Sequence, residues 1–170
     1  MGELSPAGAI GGILRAVDER DAELLGKYAE ELTRFATGIV GPNEAPDVVS
    51  AAFLRCMVSR RWPTVTDRRA YLYRAVMNEA RAARRSLTRR RQRERSAALA
   101  EPVAYDAPSP EVLEAVHRLS VRQRAVVVLT YWQDLEPASV ARLLGVSEGA
   151  VRRHLARARA HLREHLDDQA

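Results

Sequence analysis

The sequence predicts an all-α protein of two small helical domains joined by a Pro-rich linker. Apolar residues recur at intervals of three and four along most of the chain, which is the spacing of amphipathic helices. No segment alternates apolar and polar residues as a half-buried strand does. Residues 97–110 carry three prolines and little periodicity, so they are predicted to link a domain at 21–96 to one at 111–170. Residues 1–20 are an N-terminal extension.

Breakers and caps set the bounds of each helix. In the first domain, Asn43 or Glu44 is expected to cap the second helix and Thr66 to cap the third, with Asp67 in its first turn. The third helix contains the arginine-rich segment. The predicted helices span 21–39, 46–61 and 67–95 in the first domain, then 109–118, 121–133, 137–144 and 148–166.

Composition excludes several classes of protein. The longest apolar stretch, Ala125–Trp132, is shorter than the roughly 18 residues of a membrane span, and no secretory signal precedes the first helix. The single cysteine, Cys56, excludes an internal disulfide and a Cys-built zinc site. We therefore expect a cytoplasmic protein without a membrane partner.

The positive charge is concentrated in one segment. The 170 residues contain 27 basic side chains, all arginine except Lys27, and the formal net charge is +5. Residues 61–100 contain 12 basic and 3 acidic groups, whereas the segments before and after them are slightly acidic. Such a block is typical of a surface that binds a polyanion, although a solvated surface or a basic arm would have the same composition.

The segment from Pro137 to Leu155 has the pattern of a helix-turn-helix. Pro137 suits a first helical turn, Gly145 suits a left-handed helix end, and Ser147 suits the cap of the next helix. Arginines follow on the outer face of the second helix, where they could bind guanine or phosphate in the major groove. A plain helical hairpin with a basic surface remains the alternative. The candidate DNA-binding residues are Ser147, Glu148, Arg152, Arg153, His154 and Arg157.

This motif, together with the preceding Leu119–Trp132 and the following Arg157-Ala-Arg159, resembles region four of bacterial sigma factors. The resemblance is to the compact extracytoplasmic-function group, of a type common in actinobacteria. It implies that the second domain binds the minus-thirty-five element. His154 stands where the family usually has arginine, so an altered preference or weaker binding is expected there.

The second and third helices resemble region two of the same family. Ala45–Arg55 is similar to the helix that binds core RNA polymerase, although a central helix of a bundle would also be apolar nearly all round. Ser50-Ala51 replaces the family's usual Gln-Glu pair, which implies a weaker contact. The implied polymerase-binding residues are Asp47, Val49, Ser50, Phe53, Leu54 and Met57.

Arg69–Arg85 is similar to the segment of the family that melts promoter DNA. Its polar residues are spaced by three and four, so most of them share one helix face. The resemblance places Asn78 near the flipped base of the minus-ten element, and its amide can read an unpaired base edge. The implied minus-ten residues are Tyr71, Arg74, Asn78, Arg81, Arg84 and Arg85.

The leading hypothesis is therefore an alternative sigma factor that binds core RNA polymerase and promoter DNA. Members of this family are often masked by an anti-sigma protein, which no residue of this chain identifies. The alternative is a helix-turn-helix regulator that acts without the polymerase. We expect no enzyme, cofactor or metal, since the His161 and His165 pair lacks further ligands. Cys56 fits a small core residue better than a nucleophile.

Overall fold

A computed structural model of the chain describes residues 19–93 and 115–167, and every regular element within those ranges is helical. This confirms the all-α prediction for the described residues. A 3₁₀ turn spans Trp62–Thr64, and a π-helical turn spans Val128–Trp132. The α-helices are α1 (Glu19–Val40), α2 (Ala45–Met57), α3 (Arg68–Arg93), α4 (Val121–Val127), α5 (Pro137–Leu144) and α6 (Glu148–Asp167).

Helices α1, α2 and α3 pack into a bundle around a buried aromatic pair. The Phe35 and Tyr73 rings lie 4.7 Å apart between centroids, and both side chains are fully buried. Glu31 on α1 accepts hydrogen bonds from the Tyr73 hydroxyl at 2.5 Å and from Arg69 Nε at 2.8 Å. Burial and this carboxylate raise the pKa of Tyr73 well above its ordinary value, so the hydroxyl keeps its proton and α3 stays anchored to α1.

The link from α2 to α3 differs from the prediction in two places. Helix α2 ends at Met57, not near Arg61, because the chain turns there and inserts Trp62 into the bundle. The Trp62 Nε1–H donates a hydrogen bond to the Asp21 carboxylate at 2.9 Å, and this contact joins residues 41 positions apart in the chain. The prediction that Thr66 caps α3 was wrong. Asp67 takes that role, since its carboxylate accepts from the Ala70 N–H at 2.9 Å.

The second half follows the predicted bounds closely. Ser120 and Gln123 form a capping box at the start of α4, in which each side chain accepts from the other residue's backbone N–H. The helix then widens at Val128–Trp132, where the Gln133 N–H bonds to the Val128 carbonyl five residues back. Helices α5 and α6 occupy the predicted positions to within one residue.

The two halves share one continuous hydrophobic core. Gly38 of α1 lets Val128 approach so closely that a Cβ on Gly38 would lie 2.5 Å from Val128 Cγ2. Arg124 is only 4% exposed and donates to the carbonyl of Ile39, 85 residues earlier. The halves are therefore packed together through α1, α3 and α4. The predicted linker, 97–110, lies outside the described residues.

Candidate nucleic-acid interface

The predicted minus-ten face of α3 lies against the helix-turn-helix. Asn78 is exposed, whereas Tyr71, Arg74 and Arg81 are half-buried. Tyr71 packs on Trp62, and its hydroxyl lies 3.2 Å from Ser59 Oγ, so it supports the bundle. The other three side chains line a cavity of about 200 Å³ whose opposite wall belongs to the second half. The structure thus brings predicted residues of both halves to one cleft.

A second, wider cavity of about 630 Å³ continues this cleft along α3. Arg81, Arg84 and Arg85 line one side, and Arg122 and His154 line the other. Arg84 donates to the Leu119 carbonyl at 2.9 Å, so it joins the halves in this arrangement. Burial lowers the pKa of Arg81, and the nearby charges of Arg122 and Arg85 lower it further. The cleft is therefore a crowded cationic surface.

The turn of the helix-turn-helix is built as the sequence predicted. Helix α5 ends on Gly145 in the left-handed conformation, with φ at 65°, and the Val146 N–H bonds to the Ala141 carbonyl at 3.0 Å. Ser147 Oγ accepts from the Ala150 N–H at 3.2 Å and so caps α6. Val151 is fully buried against the core. These contacts fix the outer face of α6 relative to α5.

The outer face of α6 presents its arginines to solvent. Arg152, Arg153 and Arg157 are exposed, and so are Ser147 and Glu148 at the start of the helix. Arg152 Nη2 lies 3.5 Å from the Glu148 carboxylate, a weak pair one turn apart. A row of exposed guanidinium groups on a rigid helix can bind phosphates and the edges of guanine.

His154 is the predicted recognition-helix residue that turns toward α3. It is half-buried and lines both cavities, opposite Arg81. Burial lowers its pKa most, and the charges of Arg122, Arg157 and Arg153 lower it further. The imidazole is thus held neutral against an arginine-rich wall. Arg122 was not predicted as a site residue, although it lies in the segment that carried the resemblance.

The predicted polymerase-binding residues of α2 divide between core and surface. Val49 and Phe53 are buried inside the bundle, and Met57 is half-buried. Asp47 and Ser50 are exposed. Leu54 is 48% exposed and Val58 is 66% exposed, so these two side chains form an apolar strip on the outer side of the bundle. Periodicity places Leu54 and Val58 on a different side from Val49 and Phe53, but it could not tell which side faces the bundle, because α2 is apolar on both.

Among the described residues, no group of three or more His, Cys, Asp or Glu side chains is placed to hold a metal ion. His161 is half-buried, and the side chain of His165 lies outside the described part of the chain. Burial and the charge of Glu79 raise the pKa of Cys56 to about 11, which disfavours the thiolate. None of the described helices is both long and apolar enough to cross a membrane.

Comparisons with known proteins agree with this geometry. The family model for sigma-70 region 4 matches residues 109–162. The chain is 32% identical over 156 residues to an RNA polymerase sigma-E factor of Streptomyces antibioticus, covering 85% of this chain and 83% of that one. It is 51% identical over 51 residues to the ECF RNA polymerase sigma factor SigM of Mycobacterium tuberculosis, covering 30% and 26% of the two chains.

The fold also resembles that of solved structures. The sigma factor RpoE of Bartonella quintana, in complex with the anti-sigma factor NepR, superposes with a TM-score of 0.64 at 19% identity. The match covers 88% of this chain and 98% of that one, so it includes both halves.

Proposed function

This chain belongs to the sigma-70 family of RNA polymerase sigma factors, in its extracytoplasmic-function group, and we propose that it is an alternative sigma factor. It binds core RNA polymerase, recognises promoter DNA and promotes the initiation of transcription. The observation that carries the proposal is the arginine-lined helix-turn-helix, which coincides with the match to region 4. The family consists of transcription initiation factors rather than enzymes, and we infer no catalytic step here.

The recognition helix α6 is proposed to bind the minus-thirty-five element. Arg152, Arg153 and Arg157 are exposed on one rigid helix whose N-terminus is fixed by the Ser147 cap. Arginine suits bidentate hydrogen bonding to guanine and pairing with phosphate. His154, held neutral beside arginines, would contribute a hydrogen bond rather than a charge.

Helix α3 is proposed to bind the melted minus-ten element. Asn78 is exposed, with Arg74 and Arg81 one turn to either side on the same face. The two guanidinium groups would neutralise phosphates, and the amide would read an unpaired base edge. In this assignment Arg84 and Arg85 extend the phosphate contacts along the helix.

Helix α2 is proposed to bind the polymerase through the strip of Leu54 and Val58. Exposed apolar side chains of this size mark interaction surfaces when they lie together, and Asp47 and Ser50 would surround them with polar contacts. Val49 and Phe53 act indirectly in this assignment, because they pack α2 against the bundle. Residues 21–96 would then be region two, 97–110 the linker and 111–170 region four.

An anti-sigma protein is a further proposed partner. The similar RpoE was solved in complex with the anti-sigma factor NepR. We place the protein in the cytoplasm, where polymerase and chromosome meet.

Co-elution with purified core RNA polymerase tests the proposal. We expect a complex with the full chain and at least about tenfold weaker binding for Leu54→Asp, because burying an unpaired carboxylate costs several kcal/mol. Arg34→Asp is the control, since Arg34 is exposed on α1 and pairs with Glu30 beside it. Binding to duplex DNA without co-elution would instead support a regulator that acts alone.

Promoter opening tests the α3 assignment separately. Asn78→Ala should impair open-complex formation by the holoenzyme and leave co-elution intact, because Asn78 is not among the residues assigned to the polymerase contact. Permanganate footprinting of unpaired thymines measures the opening. Unchanged opening would refute the role given to Asn78.

A further inference from the structure

We propose that the wider cleft beside α3 binds a small molecule that carries linked phosphates, as a nucleoside triphosphate does. The cleft is the cavity of about 630 Å³ whose lining is shared by α3, the start of α4 and α6. Its volume lies within the range of about 300–1,000 Å³ that is usual for sites of small ligands. The inference goes beyond the proposed function, because it assigns the chain a small-molecule ligand and does not depend on the polymerase.

The lining of the cleft is cationic. Among the described residues that line it, none is acidic and four are arginine, namely Arg81, Arg84 and Arg85 of α3 and Arg122 of α4. Arg84 donates to the Leu119 carbonyl at 2.9 Å, so it belongs to the frame of the cleft. Within the part of the chain that the structure describes, no carboxylate pairs with Arg81 or Arg122. These two guanidinium groups are therefore available to an anionic ligand.

The arginines of the cleft repel one another. Arg81 is half-buried, and burial lowers its pKa, which the charges of Arg122 and Arg85 lower further. Groups with a shifted pKa in a cleft are typical of binding sites. Phosphate oxygens would offset the repulsion and accept paired hydrogen bonds from each guanidinium group. Linked phosphates suit the cleft better than a single phosphate, because the cationic groups lie on both of its walls.

The rest of the lining can accept an uncharged ring. Val121 contributes apolar surface, and His154 contributes a flat imidazole that burial and the surrounding arginines hold neutral. Such a ring can stack on a nucleobase. Ser120 Oγ accepts from the Gln123 N–H at 3.3 Å, which leaves its hydroxyl hydrogen to donate to a phosphate or a sugar. These groups favour a nucleotide over an inorganic polyphosphate.

Titration calorimetry with the full chain tests the inference, with ATP, AMP and inorganic tripolyphosphate as the probes. We expect ATP to bind with a Kd below about 100 µM, and AMP to bind at least about tenfold more weakly because it lacks two of the three phosphates. Tripolyphosphate separates the two sources of the same chemistry. If it binds more weakly than ATP, the ligand is a nucleotide, whereas equal or tighter binding identifies an inorganic polyphosphate.

The variant Arg122→Ala locates the binding in the cleft, and Arg60→Ala is its matched control. Arg122 is exposed in the first turn of α4, where a cation opposes the helix dipole, so its removal should not destabilise the fold. Arg60 is exposed on the link from α2 to α3, outside the lining of the cleft. Each variant loses one positive charge. Arg122→Ala should weaken ATP binding at least about tenfold, because it removes hydrogen bonds to a charged group, and Arg60→Ala should change it by less than about twofold.

Proton NMR of the His154 imidazole reports on the same cleft independently. Positive charges surround this ring from three helices, with Arg81 on α3, Arg122 on α4, and Arg153 and Arg157 on its own helix α6. Bound phosphates would offset these charges, so the imidazole should titrate at a higher pH with ATP than without it. The variant His154→Gln identifies the resonance by its loss.

Any of four results would overturn the inference. The first is that neither ATP nor tripolyphosphate binds with a Kd below about 100 µM. The second is that AMP binds as tightly as ATP. The third is an equal loss of ATP binding in Arg122→Ala and Arg60→Ala, which would indicate attraction to the net charge of the chain and not to a site. The fourth is an unchanged titration of His154 at saturating ATP.

Discussion

Adding one methyl group to Gly38 should weaken the protein, whereas adding one to Gly26 should strengthen it. Both glycines lie in α1. A Cβ on Gly26 meets nothing within 4 Å, but a Cβ on Gly38 would lie 2.5 Å from Val128 Cγ2 and 3.1 Å from Cγ1. Val128 is itself buried, so it has little room to move. The two Gly→Ala substitutions therefore make the same chemical change with and without a collision between the halves.

The magnitude follows from two opposing effects. Alanine in a helix interior is favoured over glycine by about 0.8–1 kcal/mol. Gly26→Ala should gain about that much, which raises Tm by roughly 2–4 °C in a chain of this size. Gly38 lies in the last turn of α1, so its gain is no larger, and overpacking costs about 1–3 kcal/mol. The free energy of unfolding of Gly38→Ala should thus fall about 1–3 kcal/mol below that of Gly26→Ala.

Urea denaturation followed by circular dichroism measures both free energies, with the slope of the transition as a check on cooperativity. The difference between the variants isolates the collision, because the helix propensity of alanine contributes to both. Equal stabilisation by the two substitutions would refute the reasoning. It would mean that Val128 does not pack on Gly38 in solution and that the halves are not held as described.

Three further outcomes are expected. Ser120→Ala should lower the free energy of unfolding by about 1 kcal/mol, measured by urea denaturation, because it removes the capping box of α4; an unchanged midpoint would argue against that cap. Burial and neighbouring arginines lower the pKa of His154 in the native state, so the unfolded chain takes up the proton first as the pH falls. Neutral His154 therefore stabilises the folded state above about pH 6.5, and that stability is lost as the pH falls below it. The fall in Tm on acidification should be smaller in His154→Gln than in the wild type. Identical pH profiles of Tm would exclude the effect. Replacing Arg152, Arg153 and Arg157 by alanine should weaken duplex binding and reduce the slope of log K against log salt by about one for each phosphate that is no longer neutralised. A slope equal to that of the wild type would show that other residues bind the phosphates.

The helix-turn-helix could be predicted almost to the residue because its signals are local. Pro137 begins α5, Gly145 takes the positive φ that ends it, and Ser147 caps α6. Each of these residues acts within four positions of itself, so spacing along the chain was sufficient. The exposed arginines of α6 followed from the same register.

The end of α2 and the contact between the halves could not be predicted in this way. Val58 fits the spacing of apolar residues in α2, so the sequence alone predicts that the helix continues through it. The helix ends at Met57 because the chain turns to bring Trp62 against Asp21, a contact that local spacing does not show. The buried donation from Arg124 to Ile39 joins positions 85 residues apart. The sequence gives no sign that Arg124 is buried, because nothing in its neighbourhood along the chain indicates it.

The π-helical turn at Val128–Trp132 takes up one extra residue without changing the direction in which the chain continues. An α-helix rotates by about 100° for each residue, and this turn holds one residue more than an α-helix of the same length would hold. It keeps Val128 and Leu129 in the core while Tyr131 and Trp132 reach the surface. If the same residues formed a regular α-helix, everything after the turn would be rotated by about 100° around the helix axis. The arginines of α6 therefore keep their direction because the extra residue is taken up within the turn.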